Sequence, residues 1–266
     1  MHVTDVLADL VAEQHALDPI VRQLSDEDWI TSTASPLWTV TEQVAHLTYF
    51  DHAAAFAINT PDRWDEETKR LFGAAGEGDV GVDNLTLGAV SDLPASERHG
   101  AWLVGRNALE QAGQALADDA RVPWYGPSMG AKSFLTARLM ECWAHGQDIV
   151  DAVGASRDAS DRLRHIAQLG FITRGWTYIN RKMEMPEGDV RVVLDAPSGD
   201  TWLWGPEDAT STVHGAAEAF CLVVTQRRNL ADVTLDVQGD VAADWLNMAQ
   251  AFAGPPTDAP TAGTFT

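Results

Sequence analysis

Glu141 and His145 are four residues apart in KSFLTARLMECWAHGQDIVDAVG. At roughly 100° of helical rotation per residue the two side chains point within about 40° of each other. Asp148, three residues further on, falls on the same stripe. A carboxylate and an imidazole stacked in this way can chelate one divalent ion, and His46, on another long helical segment, can supply a third ligand from across a helical bundle. Three protein ligands with one position left open is the catalytic pattern for zinc, whereas structural zinc takes four. The spacing serves equally well for an ordinary helix-surface pair, and by itself it favours that simpler role. The apolar neighbours Leu139, Met140, Cys142, Trp143, Ile149 and Val150 weigh toward a shared buried partner.

The elements that must position these groups are legible in the hydrophobic periodicity. Val3, Val6, Leu7, Leu10, Val11, Leu17, Ile20, Val21 and Leu24 recur at three- and four-residue intervals and predict a first helix over residues 3–25. Thr39 and Glu42 have capping-box spacing and predict a second helix from about Val40 to Asn59, with His46 near its middle. The pattern weakens between Pro61 and Leu93, where RWDEETKRLF reads as a short helix and GAAGEGDVGVDN as a loop, the place for a lid or insert. A third bundle helix is expected from about Pro94 to Ala117, and then a loop through Pro123, Gly126, Pro127 and Gly130. The fourth helix runs from about Ala131 to Val153 and stops at Gly154. A fifth spans 158–183.

Beyond it the pattern changes. Val190, Val192 and Leu194 alternate, as do Trp202 and Trp204, around Ser198-Gly199-Asp200, which predicts a hairpin. A helical segment GAAEAFCLVVTQRRNL, a strand VTLDVQG and a helix VAADWLNMAQAFAG follow. The expected organisation is a helical bundle over 1–155, a connecting helix over 156–188, a small α/β domain over 189–254 and a disordered tail over 255–266, an α+β chain as a whole.

Composition narrows the function classes. Lys and Arg number 18 against 39 Asp and Glu, a net charge of −21, so a broad nucleic-acid surface or an anionic-membrane surface is not expected. The expected partner is a small-molecule substrate, with a homodimer as the default assembly. Two cysteines, Cys142 and Cys221, do not suggest a disulfide framework. The first residues lack a basic region and carry Asp5, Asp9 and Glu13, unlike a signal peptide, and no window has 18 uncharged apolar residues. A cytoplasmic location is the expectation.

Four stretches are similar to one known family: WTVTEQVAHLTYFDHAA, ARLMECWAHGQDIVDAVG, the WGPEDA turn and the ending VTQRR…GDVAADWLNMAQAFAGPP. They resemble the DinB-like, mycothiol-dependent maleylpyruvate isomerase superfamily, and within it a metal-binding branch, over nearly the whole chain. The resemblance implies an up-down four-helix bundle holding a divalent metal, usually zinc, on His46, Glu141 and His145. It also implies a low-molecular-weight thiol such as mycothiol as cofactor, and transferase or isomerase chemistry on a small organic substrate. Nickel, iron or copper suit the same ligands. By position the resemblance assigns an arginine of Thr225-Gln226-Arg227-Arg228 to the catalytic set, and Arg227 is the choice. A thiol-independent isomerase, lyase or hydrolase, and a binding protein without turnover, are the alternatives.

Several residues carry a simpler expectation. Asp148 is expected to hydrogen-bond a ligand histidine or to meet a local polar need. Trp38 is expected to staple the helix start or wall the pocket, Cys142 to be a core thiol, and His52, about 240° around the helix from His46, to stay away from the metal. His2, His15, His99, His165 and His214 are expected to be solvated or structural.

Overall fold

The computed structural model describes residues 1–265, and the chain divides into two units, Met1–Arg157 and Asp158 onward. In chain order the first unit opens with α1 (Val3–Arg22), the single turn α2 (Asp26–Trp29) and α3 (Val40–Asn59). Three shorter helices follow: α4 (Trp64–Ala75), α5 (Asp79–Thr86) and α6 (Gly88–Ser91). The unit closes with α7 (Ala95–Gly113), the paired strands β1 (Arg121–Val122) and β2 (Met129–Gly130), and α8 (Ala131–Val153).

The four long helices form a bundle in which α3 packs against both α7 and α8, and α1 against the same two. The apolar stripes meet in its interior, where Leu10, Leu17, Val44, Leu47, Trp102, Leu109, Leu135 and Leu139 are fully buried. Each such side chain stabilises the fold by about 1.5–3 kcal/mol. Gly146 marks the close approach of α8 to α1, because a Cβ there would lie 3.2 Å from Leu17 and 2.6 Å from the Arg157 guanidinium.

The ends of the two site-bearing helices have local causes. At the start of α3 the Thr39 backbone N–H donates to Glu42 Oε2 at 2.8 Å, and the Thr39 hydroxyl accepts from the Thr41 N–H at 3.3 Å. Helix α8 stops because Gly154 takes φ 62°, a left-handed conformation that costs glycine nothing. The 61–93 segment departs from expectation: GAAGEGDVGVDN is a junction between two helices, and α5 begins inside it. Gly78, at φ 77°, turns the chain in one residue, and Asp79 then places an acid in the first turn of α5. The expected 121–130 loop is a short β-hairpin stem.

The second unit contains α9 (Leu163–Ile172), α10 (Arg174–Asn180), β3 (Val190–Asp195), β4 (Thr201–Trp204), β5 (Ser211–Ala216), α11 (Ala217–Val224), β6 (Leu235–Gln238) and α12 (Asp240–Met248). The sheet order is β4-β3-β5-β6, with β3 and β5 parallel and the other pairs antiparallel. The hairpin expected around Ser198-Gly199-Asp200 is β3–β4. Strand β5 carries too short an alternation to announce itself, and its register comes from pairing on both sides. The single connecting helix expected over 156–188 is two helices, broken at Thr173, and α9 lies in this unit against α11, where Gly170 meets Val224. The tail expected to be disordered has no helix or strand over its described residues, and it is tied down by hydrogen bonds. Gln226 donates to the Thr257 carbonyl at 2.8 Å, Asn229 to the Pro260 carbonyl at 2.9 Å, and the Gly263 N–H to Asp232 at 2.7 Å.

Both cysteines are buried and free. No helix among the described residues is long and apolar enough to cross a membrane. Because the Thr39 cap starts the helix that carries His46, Thr39→Ala is expected to lower stability by about 1 kcal/mol in urea denaturation, with the slope of the transition unchanged.

Candidate metal centre

His46 lies mid-way along α3, and Glu141 and His145 lie one turn apart on α8. Their contact brings one atom of each residue together: His46 Nε2 is 3.2 Å and His145 Nε2 3.1 Å from the same carboxylate oxygen, Glu141 Oε2. The three donor atoms lie within 4.8 Å of one another. The side chains are 17%, 23% and 13% exposed for His46, Glu141 and His145, so the cluster is largely sheltered yet reachable from solvent. The structure thus brings His46 of one helix beside Glu141 and His145 of another, across the bundle.

The far nitrogen of His145 is engaged as well. Nδ1 lies 2.7 Å from Gln43 Oε1, a carbonyl oxygen that can only accept, so Nδ1–H donates. A neutral imidazole that donates from Nδ1 presents a lone pair at Nε2, and here that lone pair faces the Glu141 carboxylate at 3.1 Å. A cation placed between two such acceptors relieves their repulsion, and two imidazole nitrogens with one carboxylate oxygen are a donor set that zinc and its neighbours accept. The residues present therefore fit a divalent metal.

Electrostatics agrees with ligand duty. Burial, reinforced by the neighbouring His145, lowers the pKa of His46 to about 4 against the pull of Glu141, which keeps the ring neutral at physiological pH. Burial alone would raise the pKa of Glu141, but the close contacts with His145 and His46 outweigh it and hold the carboxyl well below its ordinary value.

Aromatic rings border the cluster. The His46 ring is 5.3 Å from Trp38 and 4.5 Å from Phe50 between centroids, and Trp38 is also 6.0 Å from His145. Trp38 thus walls the site, while it packs beneath on Ala45, Leu87 and Val90. Phe50 continues into Tyr49, Trp124 and Tyr125. The hydroxyls of Tyr49 and Tyr125 both donate to Glu67 of α4.

The other candidates are placed as follows. Asp148 is buried with Oδ2 3.7 Å from His145 Nδ1, beyond hydrogen-bond distance, and accepts from Ser35 Oγ at 3.5 Å. The residue that holds His145 is Gln43, which sequence reasoning missed; the available signal was a glutamine three residues before His46, one helical turn away. Arg227 lies in the second unit, in the turn after α11, and donates to the Thr225 carbonyl at 2.7 Å. Arg228 stacks on Phe265, its guanidinium carbon 4.3 Å from the ring centroid. Cys142 is a core thiol whose pKa burial pushes up. His52 lines a separate cavity of about 720 Å³ with Tyr49, Phe56 and Val104. His2 and His99 pair with Asp118 and Asp18 at 2.8 and 2.7 Å.

Comparison with known proteins adds three findings. Residues 10–150 match the family model described as the mycothiol maleylpyruvate isomerase N-terminal domain. Two proteins of Mycobacterium tuberculosis, Uncharacterized protein MT0041 and Uncharacterized protein Rv0036c, are each 42% identical to this chain over 251 residues, 94% of it and 96% of their own length. Crystal structures of the mycothiol-dependent maleylpyruvate isomerase and of a histidine-to-alanine mutant superpose with a TM-score of 0.57, covering 85% of this chain and 90% of theirs at 16% identity, which establishes a shared fold.

The depressed His46 value has a measurable consequence in the metal-free protein. Its imidazole is expected to titrate near 4 by NMR. The unfolded chain takes up this proton near pH ~6.5, so the stability that neutral His46 contributes is present above that pH and is lost progressively as pH falls to about 4. Urea midpoints of the wild type should therefore fall more steeply through that window than those of His46→Ala; parallel curves would contradict the assignment.

Proposed function

The chain belongs to the mycothiol maleylpyruvate isomerase family through its N-terminal domain, and from that membership and the converging donors of α3 and α8 we propose that it is a metal-dependent enzyme that uses a mycothiol-like thiol to transfer to, or isomerise, a small organic substrate. The observation that carries this reading is the convergence of His145 Nε2 and His46 Nε2 on one carboxylate oxygen of Glu141. His46, Glu141 and His145 would hold the ion, with zinc the first choice for two imidazoles and a carboxylate. Bound there, a divalent cation supplies a Lewis acid that lowers the pKa of a thiol and favours its thiolate at neutral pH.

The chain's own groups have separate parts in the proposal. Trp38 and Phe50, both packed near the His46 ring, offer apolar surface to the organic portion of a substrate and limit water at the ligands. Asp148 acts through Ser35 and the ligand shell around His145. Arg227 keeps the part that the family resemblance implies for it, a guanidinium whose planar fork can hold an anionic group by two parallel hydrogen bonds.

One observation favours a second reading. The rings that continue from Phe50 to Trp124 and Tyr125 are better suited to an apolar molecule than to a thiol-bearing sugar, which needs many hydrogen-bond partners. That environment supports a thiol-independent metal-dependent isomerase, lyase or hydrolase.

Purified untagged protein is expected to hold about one equivalent of metal, absent from His46→Ala, Glu141→Ala and His145→Ala variants that still melt cooperatively. Calorimetric titration of the loaded protein with mycothiol should then show saturable binding that disappears with the metal. A loaded protein that ignores the thiol selects the second reading, and a wild type that takes up no zinc defeats both.

A further inference from the structure

Gln43 is fully buried on α3, and its amide cannot be turned over without breaking what surrounds it. Its Nε2 donates to Thr33 Oγ1 at 2.8 Å and to Ser35 Oγ at 3.0 Å. Each hydroxyl has one proton, and each proton is already directed elsewhere. Thr33 Oγ1 donates to the Trp38 carbonyl at 2.9 Å, and Ser35 Oγ to Asp148 Oδ2 at 3.5 Å. Both hydroxyl oxygens are therefore left to accept, which suits an NH₂ group and repels a carbonyl. With the NH₂ end committed, Gln43 Oε1 must point at His145 Nδ1, 2.7 Å away, and an acceptor there selects the ring tautomer protonated at Nδ1.

We infer that Gln43 is a positioning residue: its amide, aimed by Thr33 and Ser35 of the turn before α3, holds His145 as the Nδ1–H tautomer and so keeps Nε2 as the lone pair offered beside Glu141. The assignment of direction runs from two hydroxyls, one anchored on the Trp38 carbonyl and one on the Asp148 carboxylate, to one ring nitrogen, and it makes the 33–38 turn a support of the ligand set although none of its atoms is a ligand. Asp148, the nearest carboxylate to His145 Nδ1 at 3.7 Å, then serves as the far end of this chain through Ser35. The inference deepens the metal reading and rests on it for the affinity measurement alone, because the tautomer exists without the ion.

The test uses the full-length, metal-free protein labelled with ¹⁵N-histidine, at about pH 9 so that imidazoles are neutral. Long-range ¹H–¹⁵N correlation reports which nitrogen of each ring carries the proton, and the His145 signals are those missing from His145→Ala. Wild type is expected to show His145 protonated at Nδ1 alone. In Gln43→Leu that preference should be lost, and zinc affinity measured by chelator competition should fall about 10- to 100-fold. Thr33→Val, which removes the closer of the two acceptors that orient the amide, should bring in a second His145 population protonated at Nε2. Protonation of wild-type His145 at Nε2 overturns the inference, as does a Gln43→Leu protein with the wild-type tautomer and affinity. If Gln43→Leu does not fold, an unchanged spectrum in Thr33→Val overturns it by itself. A wild type that shows the Nδ1–H tautomer but takes up no zinc leaves this inference standing and removes the metal reading.

Discussion

Two imidazole nitrogens and one carboxylate oxygen converge where α3 meets α8, and this meeting of acceptors constrains everything around it. Like partial charges do not gather in a sheltered site unless the scaffold holds them there. Nearby, the same two helices are tied by a second polar contact: Arg138 of α8 donates to Asp51 of α3 at 3.1 Å, with both side chains only 4% exposed. Gln14 of α1 donates to the other Asp51 oxygen at 3.2 Å. A buried pair of this kind adds little net stability, but the loss of one partner costs about 3–5 kcal/mol. Its effect is therefore on register: it penalises any sliding of α3 along α8 that would separate His46 from Glu141.

The turn before α3 is the second support, and it is under strain. Ser32 and Thr39 form a bridge, the Thr33 N–H donates to the Trp38 carbonyl at 2.9 Å, and the Trp38 N–H closes a turn on the Ser35 carbonyl at 3.1 Å. Pro36 occupies the second position of that turn and Leu37 the third, where φ is 68°. Proline followed by a positive φ is the type II pattern, and glycine or asparagine is the usual third residue. Leu37 accepts the steric cost of the left-handed region while 99% exposed, so its side chain contributes no compensating burial. The same short loop supplies the Thr33 and Ser35 hydroxyls to Gln43 and the Trp38 ring to both histidines. Strain tolerated at this place fits a loop shaped by the site it serves.

Much of the molecule was readable residue by residue because its causes are local. The Glu141–His145 pair follows from helical pitch alone, and the limits of α3 and α8 follow from the Thr39–Glu42 box and from Gly154. The β3–β4 hairpin announced itself through alternation around a Ser-Gly turn. The elements that escaped are those with non-local causes: β5 is ordered by partners on both sides, and α5 starts where glycine-rich composition suggested only loop. The break between α9 and α10 belongs with them, since nothing as strong as proline marks Thr173.

By itself, then, the sequence determined the chain's family resemblance, its two long site-bearing helices and the ligand pair that shares one turn, all consequences of periodicity and short-range capping. Tertiary structure decided that His46 joins that pair on a single oxygen, that Gln43 and not Asp148 holds the far nitrogen of His145, and that Trp38 walls the site as well as packing beneath it. These depend on how two helices cross and on which way one buried amide is turned. Directions of that kind are set by groups distant along the chain, and no local spacing rule encodes them.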